Sequence, residues 1–374
     1  MNILLVSHEY PPYGSGIANA VYALRRELLK KGVNVDVLSQ GGAEINITNA
    51  FTNLPGLAGL IPFWQQAVDY ISRVFKDYDI IWLHAPLLVN TRKLRHTKKV
   101  MISFHTTYYG FYTAYKKHSI LRLLPYYYLA NKLENHFLNQ LSHNKNVIIT
   151  AISSSIADEL SSNGLIFSPH IIPNGFESDY HGAFDKYNAR AILQQKYSLQ
   201  LSEKDQLFLY IGRITEQKQI FLLVNLFKKI NSNSNSNIHL IIIGSGNLFK
   251  KLNQKSYSEY NIHILGYVPS GILSIAQEAA DAYILLSCYE GLPLTVLEAA
   301  SFNLPLILSD IPAHRWMIKS RMVNGLLIDS VNPSPTKIIN FLNAGIKEKK
   351  VKRAHNWEKV ADQYMQIFLN TITK

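Results

Sequence analysis

Two glutamates, Glu290 and Glu298, occupy a segment that leaves a strand-like run and enters a helical pattern. The segment reads Glu290-Gly291-Leu292-Pro293-Leu294-Thr295-Val296-Leu297-Glu298. Because a helix that starts just past a strand directs unpaired backbone N–H groups outward, such a turn is typical of sites for phosphate-bearing ligands. Glu298 is placed to accept hydrogen bonds from ribose hydroxyls, and Glu290 lies nearer to the group that is attached to the phosphates. Spacing alone leaves open that both glutamates only complement the helix dipole.

A second charged pair, Arg213 and Lys218, follows another strand-like run in the same half of the chain. Across a strand-to-helix junction both cations can reach a diphosphate, the Arg as a fork and the Lys as a point charge. As isolated residues they would be read as a solvated basic surface. Together with the Glu290 turn at the same sheet edge, they predict a clamp for a diphosphate.

The elements that must position these residues come in two series of short apolar strands alternating with helical patterns. The first series has strands at 3–6, 33–38, 80–84, 100–104 and 147–152, and the second at 207–212, 239–244, 262–266, 282–286 and 305–308. Such alternation predicts an α/β chain with two Rossmann-like, doubly wound parallel sheets. The first helix, Gly16 to Lys31, is expected to bury Ala20, Leu24, Leu28 and Leu29 and to end at Gly32.

A turn signal at Pro173-Asn174-Gly175 and the polar stretch after it place the domain boundary near residues 176–195. We therefore predict two Rossmann-like domains, an N-terminal one at 1–180 and a C-terminal one at 190–355. The Asn/Ser-rich run at 231–237 is expected to be a solvated loop.

Taken together, the motifs are similar to those of retaining glycosyltransferases of family 4, which have the GT-B fold with two domains facing a cleft. In the second half the similarity lies in 208–218, 241–246, 266–269 and the E-x7-E spacing of Glu290 and Glu298. In the first half it lies in 11–16, 103–105, 153–154, 172–175 and 356–360. One departure is Trp316, because many relatives carry a glutamate there, and this leaves the role of its loop open.

The resemblance implies that the domain at 1–180 binds the acceptor, that the domain at 190–355 binds the donor, and that a last helix at 356–374 crosses back onto the first domain. It also implies a role for each matching residue. Arg213 and Lys218 would hold the diphosphate, Glu298 the ribose, and Glu290 the sugar hydroxyls, while His105 would contact the transferred sugar. The open alternative for His105 is a satisfied core histidine. The predicted donor-binding residues are Gly16, Gly212, Arg213, Lys218, Gly244, Gly266, Tyr267, Val268, Glu290, Gly291, Leu292, Leu294, Thr295 and Glu298. The predicted catalytic residues are His105, Arg213, Lys218 and Glu290.

No metal or other cofactor is expected, because Arg213, Lys218 and helix N-termini can meet the charge of the leaving diphosphate. The Asp-x-Asp pattern at Asp77-Tyr78-Asp79 precedes a strand, which is the wrong edge of the sheet, and is read as a strand-entry turn. The resemblance also implies retention of anomeric configuration through same-face attack, with Glu290 positioning the sugar. The sequence leaves that stereochemistry undecided, together with the identity of the base, UDP- or GDP-linked, and of the hexose.

Residues 92–145 hold ten Lys or Arg against one acid, Glu134, in a chain of formal charge +12. Nine aromatic residues within 108–137 lie among them, a composition that suits an anionic membrane surface and a lipid, lipid-linked or glycan acceptor. A solvated basic face over an aromatic core remains the alternative. A nucleic-acid partner is not expected, because no helix-turn-helix, zinc-finger or RNP-like pattern is present.

Composition excludes several other classes of protein. With 374 residues and 47% hydrophobic content the chain is not disordered, and the single cysteine, Cys288, excludes a disulfide framework. The N-terminal apolar run stops after four residues, so a strand is expected there and not a signal peptide. We expect a cytoplasmic enzyme, able to lie peripherally on the inner face of the cell membrane. The alternatives left open are a nucleotide-sugar-binding GT-B protein with another reaction, such as an epimerase, or a non-catalytic, basic protein that binds a surface.

Overall fold

The computed structural model describes residues 1–12, 16–48, 54, 56–87, 93–94, 99–142, 144, 147–176, 184–232, 238–254, 257–343 and 356–372. Contacts between residues divide the chain into two compact units. One unit is Met1–Phe176 together with His355–Lys374, and the other is Glu177–Ala354.

The first unit is built on a parallel sheet of seven strands. They are β1 (Asn2–Ser7), β2 (Asn34–Ser39), β3 (Ile45–Asn46), β4 (Ile80–His84), β5 (Val100–Phe104), β6 (Val147–Ala151) and β7 (His170–Ile171). Their order in the sheet is β3-β2-β1-β4-β5-β6-β7. Every residue of β4 and β5 is buried, as a parallel sheet covered by helices on both faces requires.

Among the described residues, these strands are connected by helices α1 (Gly16–Lys30), α2 (Leu57–Val74), α3 (Tyr108–Lys117), α4 (Leu124–Leu141) and α5 (Ser154–Ser162). Helix α1 buries Ala20, Leu24 and Leu28 as predicted, but Leu29 is 43% exposed. The assignment of Leu29 to the buried face was therefore wrong, because a helix turns about 100° per residue and Leu29 lies beyond the edge of the apolar stripe. Gly32 does follow the helix with a positive φ of 77°.

The second unit has a parallel sheet of six strands. They are β8 (Gln206–Ile211), β9 (Ile238–Ile243), β10 (Ile262–Gly266), β11 (Ala282–Leu285), β12 (Leu306–Ser309) and β13 (Gly325–Ile328), in the order β10-β9-β8-β11-β12-β13. The helices are α6 (Lys186–Tyr197), α7 (Ile220–Ser232), α8 (Phe249–Asn253), α9 (Ser270–Ala279), α10 (Leu294–Ser301), α11 (Pro312–Lys319) and α12 (Pro335–Asn343). Sheet and helices form the two-sided α/β layer that the strand and helix pattern predicted.

The last helix, α13 (Trp357–Ile372), belongs to the first unit and packs on its core. The rings of Tyr364 and Phe368 lie 4.4 and 5.3 Å from the ring of Trp82 on β4. Trp357, the first residue of this helix, packs against Gly175. A Cβ at Gly175 would stand 2.7 Å from the backbone nitrogen of Trp357. Only glycine fits that approach without a shift of the backbone.

The prediction of two Rossmann-like parallel sheets is confirmed. In each unit the first strand has neighbours on both sides, β2 and β4 next to β1, and β9 and β11 next to β8. Such a reversal of strand order opens a crevice at the carboxyl ends of the strands, where open α/β sheets bind ligands. Among the described residues, no helix is both long enough and apolar enough to cross a lipid bilayer.

Candidate active site

The reversal of strand order in the second unit brings together two of the predicted residues. Lys218 lies just past β8 and Glu290 just past β11, the two strands on either side of the reversal. Their side chains form a buried ion pair, with 11% and 7% of their surfaces exposed. A charged pair withdrawn from water in this way is expensive to build unless both charges are used or fully satisfied. The sequence predicted the two roles but not this direct contact.

A residue that the sequence analysis missed, Gln217, ties the two strand ends together. Its side-chain amide donates to the carbonyl of Tyr289 over 2.8 Å, and its backbone carbonyl accepts from the N–H of Cys288 over 2.9 Å. These bonds fix the loop that carries Glu290 to the loop that carries Lys218. No sequence signal identifies Gln217, because its partners are backbone groups about 70 positions away.

Arg213 stands at the same edge but faces solvent. Its guanidinium donates to the side-chain oxygen of Gln217 over 3.1 Å, and its backbone carbonyl accepts from the hydroxyl of Tyr210 over 2.8 Å. Most of the donors of its five-donor fork therefore remain available to an anion. The buried Lys218 and the exposed Arg213 thus present two cations on one side of the crevice.

Helix α10 opens next to this pair without a side-chain cap, because its N-cap residue is Pro293. Backbone N–H groups of the first turn, which include those of Leu294 and Thr295, have no helical acceptor. The Thr295 hydroxyl lies 2.9 Å from the buried hydroxyl of Tyr283, which also lies 3.0 Å from the carbonyl of Ile211. Gly291 and Leu292 are buried in the turn that precedes the helix.

Glu298 is the fifth residue of α10, just over one turn from the start of the helix. Its carboxylate is half-buried and has no hydrogen-bond or ion-pair partner among the residues that the structure describes. Burial raises the pKa of Glu298 above its ordinary value. A partly desolvated carboxylate without a protein donor is suited to accept from hydroxyl groups of a ligand.

The ends of β9 and β10 complete the crevice with small residues and one exposed aromatic ring. A Cβ at Gly244, just past β9, would stand 1.9 Å from the carbonyl oxygen of Gly212, just past β8, so the backbones at the ends of β8 and β9 are in close contact. After Gly266, which has a φ of 71°, the ring of Tyr267 is 81% exposed while Val268 is buried. An exposed aromatic face beside a backbone-lined crevice is an element that can stack on a nucleobase.

His314 is a second residue that the sequence analysis did not single out. It is fully buried on α11, and its Nδ1–H donates to the carbonyl of Ser309 over 2.8 Å. Burial lowers the pKa of His314 to about 4, although the negative charge of nearby Glu290 acts in the opposite direction. The imidazole of His314 is therefore uncharged at neutral pH, beside the charged Glu290. Trp316, the departure noted in the sequence, is half-buried on the same helix.

In the first unit a cavity of about 190 Å³ lies at the corresponding reversal between β1 and β4. The ends of both strands contribute to its wall, with Ser7 from β1 and His84 from β4. Helices α3 and α4 add aromatic side chains. The remaining lining residues are His8, Glu9, Ile17, Leu60, Ala85, Pro86, Phe104, Thr106, Thr107, Tyr108, Phe111, Tyr126, Tyr127 and Glu134.

His105 follows β5, as predicted, and is only 3% exposed. Its Nε2 is hydrogen-bonded to Nδ1 of His84 over 3.0 Å, so the two histidines form one buried pair. Burial lowers the pKa of His105 to about 4 and that of His84 well below its ordinary value. Both rings are neutral at neutral pH. The contact between His105 and a transferred sugar stays a prediction.

The one acid of the basic region, Glu134, also lines this cavity. Its carboxylate accepts from the N–H groups of Tyr108 and Tyr109 at 3.0 Å each and from the Asn163 amide at 2.9 Å. Burial nevertheless raises its pKa to about 7, and the neighbouring charge of Glu159 adds to the effect. Glu134 therefore anchors the first turn of α3, where a negative charge suits the helix dipole.

The basic and aromatic region has an aromatic core and exposed apolar side chains outside that core. Phe111 stacks on Tyr127 at 5.0 Å and Tyr115 meets Tyr127 edge-on at 4.7 Å, which is an aromatic core between α3 and α4. On the outer side Leu121, Tyr128 and Leu129 are exposed, at 70, 50 and 54%. Four of the ten cations counted in the sequence, Arg92, Arg95, Lys98 and Lys145, lie outside the described residues.

The remaining predicted positions are placed as follows. Gly16 begins α1, where a Cβ would meet nothing within 4 Å among the described residues, whereas Tyr13, Gly14 and Ser15 lie outside them. Asp79 of the Asp-x-Asp pattern accepts from the backbone N–H of Asn2 over 2.9 Å at the amino end of β4, as a strand-entry turn does. No cluster of three or more His, Cys, Asp or Glu side chains that could hold a metal occurs in the part of the chain that the structure describes.

Comparison with known proteins gives a consistent result over nearly the whole chain. The family model of glycosyl transferases group 1 matches residues 192–363, and that of glycosyltransferase family 4 matches residues 14–180. An uncharacterised glycosyltransferase of Methanocaldococcus jannaschii is 23% identical, with 98% of each chain covered. The alpha-monoglucosyldiacylglycerol synthase of Acholeplasma laidlawii is 26% identical over 82% of this chain and 80% of its own. The sucrose-phosphate synthase of Thermosynechococcus elongatus superimposes with a TM-score of 0.77 at 18% identity, covering 100% and 99% of the two chains.

Proposed function

The chain belongs to glycosyltransferase family 4 and has its GT-B fold, and we propose that it transfers a hexose from a nucleoside diphosphate sugar to a lipid, lipid-linked or glycan acceptor. The second unit binds the donor and the first unit binds the acceptor. The observation that carries the proposal is the buried Lys218–Glu290 pair at the reversal of strand order, beside the exposed Arg213.

The proposed chemistry follows from where charge develops during transfer. As the bond between the sugar and the diphosphate breaks, negative charge builds on the leaving diphosphate. Arg213, Lys218 and the uncapped first turn of α10 are fixed donors on one side of the crevice, so they stabilise that charge without reorganising. Lys218 exchanges part of its bond to Glu290 for a phosphate oxygen, and Glu290 then accepts from sugar hydroxyls.

The nucleoside half of the donor occupies the other end of the crevice in this proposal. Glu298 accepts hydrogen bonds from the ribose hydroxyls, and backbone groups at Gly266 and Val268 meet the edge of the base. The exposed ring of Tyr267 supplies a stacking face. Because backbone groups contact the base edge, either uracil or guanine can be accommodated.

Transfer is proposed to be independent of metal and to retain the anomeric configuration. Two fixed cations and a helix terminus supply the positive charge that a divalent ion supplies in other transferases. Glu290 is paired with Lys218 in a buried site, which suits a group that positions the sugar better than a nucleophile. Same-face attack by the acceptor hydroxyl then leaves the configuration unchanged.

A lipid acceptor is favoured by the outer side of α3 and α4. The exposed Leu121, Tyr128 and Leu129 stand among Lys116, Lys117, Arg122 and Lys132, and the ammonium of Lys132 lies 5.6 Å from the ring of Tyr128. Apolar tips flanked by cations suit an anionic lipid surface. The relative from Acholeplasma laidlawii is named for a glycosylated diacylglycerol product, which agrees with this choice.

The proposal is tested by incubating the purified protein with radiolabelled UDP-glucose, UDP-galactose or GDP-mannose and with either lipid vesicles or soluble glycans, with EDTA present. We expect label in the lipid fraction from one donor, and an α-linked product by NMR from an α-linked donor. A β-linked product would refute retention, and activity restored only by magnesium would refute metal independence. No transfer to lipid or to soluble glycan from any donor would refute the function.

Membrane binding is tested separately by sedimentation with vesicles of phosphatidylglycerol or of phosphatidylcholine. The double variant Leu121→Asp/Leu129→Asp should lose binding to the anionic vesicles. Ile166→Asp is the matched control, because Ile166 is 75% exposed in the same unit but lies outside the segment 108–141 that contains α3, α4 and the turn between them. An equal loss of binding to the anionic vesicles in both variants would refute binding through the surface that contains Leu121 and Leu129.

A further inference from the structure

The histidine pair in the first unit leaves two ring nitrogens unused. The bond between Nδ1 of His84 and Nε2 of His105 occupies one nitrogen of each ring. The other two, Nε2 of His84 and Nδ1 of His105, are buried and have no hydrogen-bond partner among the described residues. A buried polar atom without a partner is costly, so a site that keeps two of them has a use for them.

The shared hydrogen bond makes the protonation of the two rings interdependent. A neutral imidazole carries one proton, so one of the facing nitrogens donates and the other accepts. If His84 donates, His105 carries its proton on Nδ1 and the outer nitrogen of His84 is bare. If His105 donates, its Nδ1 is bare and Nε2 of His84 carries a proton. The donor of this bond therefore determines which outer nitrogen carries a proton and can donate, and which one is bare and can only accept.

The surroundings of His84 hold its ring in place. Its centroid lies 4.6 Å from that of Trp82 on the same strand, and the Trp82 indole N–H donates to the hydroxyl of Ser103 over 2.8 Å. His84 also lines the cavity, as do Phe104 and Thr106 on either side of His105. The ring of His84 is therefore a rigid support between the sheet and the cavity.

We propose that His84 is a positioning residue for transfer, which orients the ring of His105 and fixes the nitrogen of His105 that carries the proton. The inference rests on the proposed function, because it assigns His105 to the reaction. It goes beyond that function in assigning a role to the end of β4, which nothing in the sequence motif specifies. His105 then offers a single defined donor or acceptor to a substrate hydroxyl.

A second histidine pair in the protein shows what a purely structural pair looks like. Nδ1 of His239 and Nε2 of His263 are also 3.0 Å apart, on β9 and β10. This pair lies near the amino ends of its strands, away from the crevice, and Nε2 of His239 has Asp205 as a partner at 3.2 Å. The outer nitrogen of His239 therefore has a protein partner, whereas neither outer nitrogen of the His84–His105 pair has a partner among the described residues.

The test combines long-range ¹H–¹⁵N spectra of histidine-labelled full-length protein with steady-state kinetics. The variants are His84→Phe, which keeps a ring without a nitrogen, and His84→Asn, whose amide can replace Nδ1. The control is His263→Phe, and His105→Phe assigns the resonances. We expect His105 of the wild type in one fixed tautomer.

In His84→Phe we expect His105 to exchange between tautomers and kcat to fall by about tenfold or more, while KM for the donor stays within about twofold. His84→Asn should restore both the tautomer and most of kcat, and His263→Phe should change neither. A tautomerically mixed His105 in the wild type would overturn the inference, even if His84→Phe fails to fold. An unchanged tautomer or an unchanged kcat in a folded His84→Phe would overturn it as well.

The spectra read the His84–His105 bond without any substrate. A wild-type protein with a fixed His105 tautomer and no transfer from any donor would thus overturn the proposed function, and with it the role of His84 in transfer, while leaving the hydrogen bond established. A wild-type protein that transfers sugar but shows a mixed tautomer would overturn the role of His84 alone.

Discussion

The carboxyl edges of the two sheets differ in the kind of polarity they carry. At the edge of the second sheet, Lys218 and Glu290 are charged and buried in direct contact, with Arg213 exposed beside them. At the edge of the first sheet, His84 and His105 are neutral, and burial lowers both pKa values. The same strand reversal therefore has a buried charged pair beside it in one unit and a buried neutral pair beside it in the other.

This difference is informative because charge and neutrality suit different parts of one reaction. A leaving diphosphate gains negative charge, which fixed cations stabilise. An acceptor hydroxyl needs to be oriented, and a neutral imidazole can donate to it or accept from it. Four predictions test this contrast.

The largest effect is expected when the buried ion pair is broken. Glu290→Leu leaves the ammonium of Lys218 buried without its partner and should lower the free energy of unfolding by about 3 to 5 kcal/mol. Lys218→Met/Glu290→Leu should regain most of that stability, yet transfer should be absent in both. Urea denaturation and a transfer assay measure the two quantities. A double variant with normal turnover would show that the pair is only structural.

Removal of the exposed cation should separate function from stability. Arg213→Ala should lower kcat by about 10²- to 10³-fold, because one donor to the developing charge is lost. Tm should hardly change, since the side chain faces solvent. Lys204→Ala is the matched control, an exposed cation at the opposite edge of the same sheet, just before β8. An equal loss of activity in the two variants would mean that only overall charge matters.

In the first unit the expected effect is one of pH on stability. The pKa of Glu134 is about 7 in the folded protein against 4.5 ordinarily, so folding favours its protonated form. Its contribution is complete below about pH 4.5 and is lost as pH rises through 7, which amounts to about 3 kcal/mol. His84 and His105 act oppositely, because their lowered pKa values remove stability as pH falls below 6.5.

The contribution of Glu134 is isolated by comparison with Glu134→Gln at each pH. The free energy of unfolding of the wild type, minus that of the variant, should fall by about 3 kcal/mol between pH 4.5 and 7.5. The control is Glu259→Gln, a surface change in the second unit, for which the free energy of unfolding should depend on pH as it does in the wild type. A difference between wild type and Glu134→Gln that is constant with pH would contradict the assignment of a raised pKa.

The smallest effect is expected at the nucleoside end of the crevice. Tyr267→Ala removes a stacking face and should weaken donor binding by about 1 to 3 kcal/mol, seen in KM, with kcat nearly unchanged. Tyr267→Phe should bind as the wild type does, because the ring and not the hydroxyl stacks. A large fall in kcat would place Tyr267 in the chemical step and not in binding.

The parts of the fold with strong local signals were predictable from the sequence. Central strands such as β4 and β5 are runs of buried apolar residues, and their predicted and observed bounds coincide. The short strands β3 and β7 were not predicted, since two residues at a sheet edge carry no periodic signal. Leu29 was misplaced because the edge of an apolar stripe depends on what packs against it.

The candidate site was predictable as a set of residues but not as a set of contacts. Glycine, proline and charge at strand-to-helix turns indicated Lys218 and Glu290, because such turns have a chemical signature. Three contacts join residues at the ends of different strands: the Lys218–Glu290 ion pair, the hydrogen bonds of Gln217 to Tyr289 and Cys288, and the bond between His84 and His105. Such contacts depend on strand order, which the sequence pattern does not specify.

The most direct test of a donor site in the second unit is thermal stabilisation of the full-length protein by UDP, GDP and ADP, each with EDTA or with magnesium. A ligand at 100 times its Kd stabilises the folded state by about 2.7 kcal/mol, which corresponds to a rise in Tm of several degrees. We predict such a rise for one nucleotide, unchanged by EDTA and absent in Glu298→Ala. No rise with any nucleotide, or the same rise in Glu298→Ala, would contradict the account.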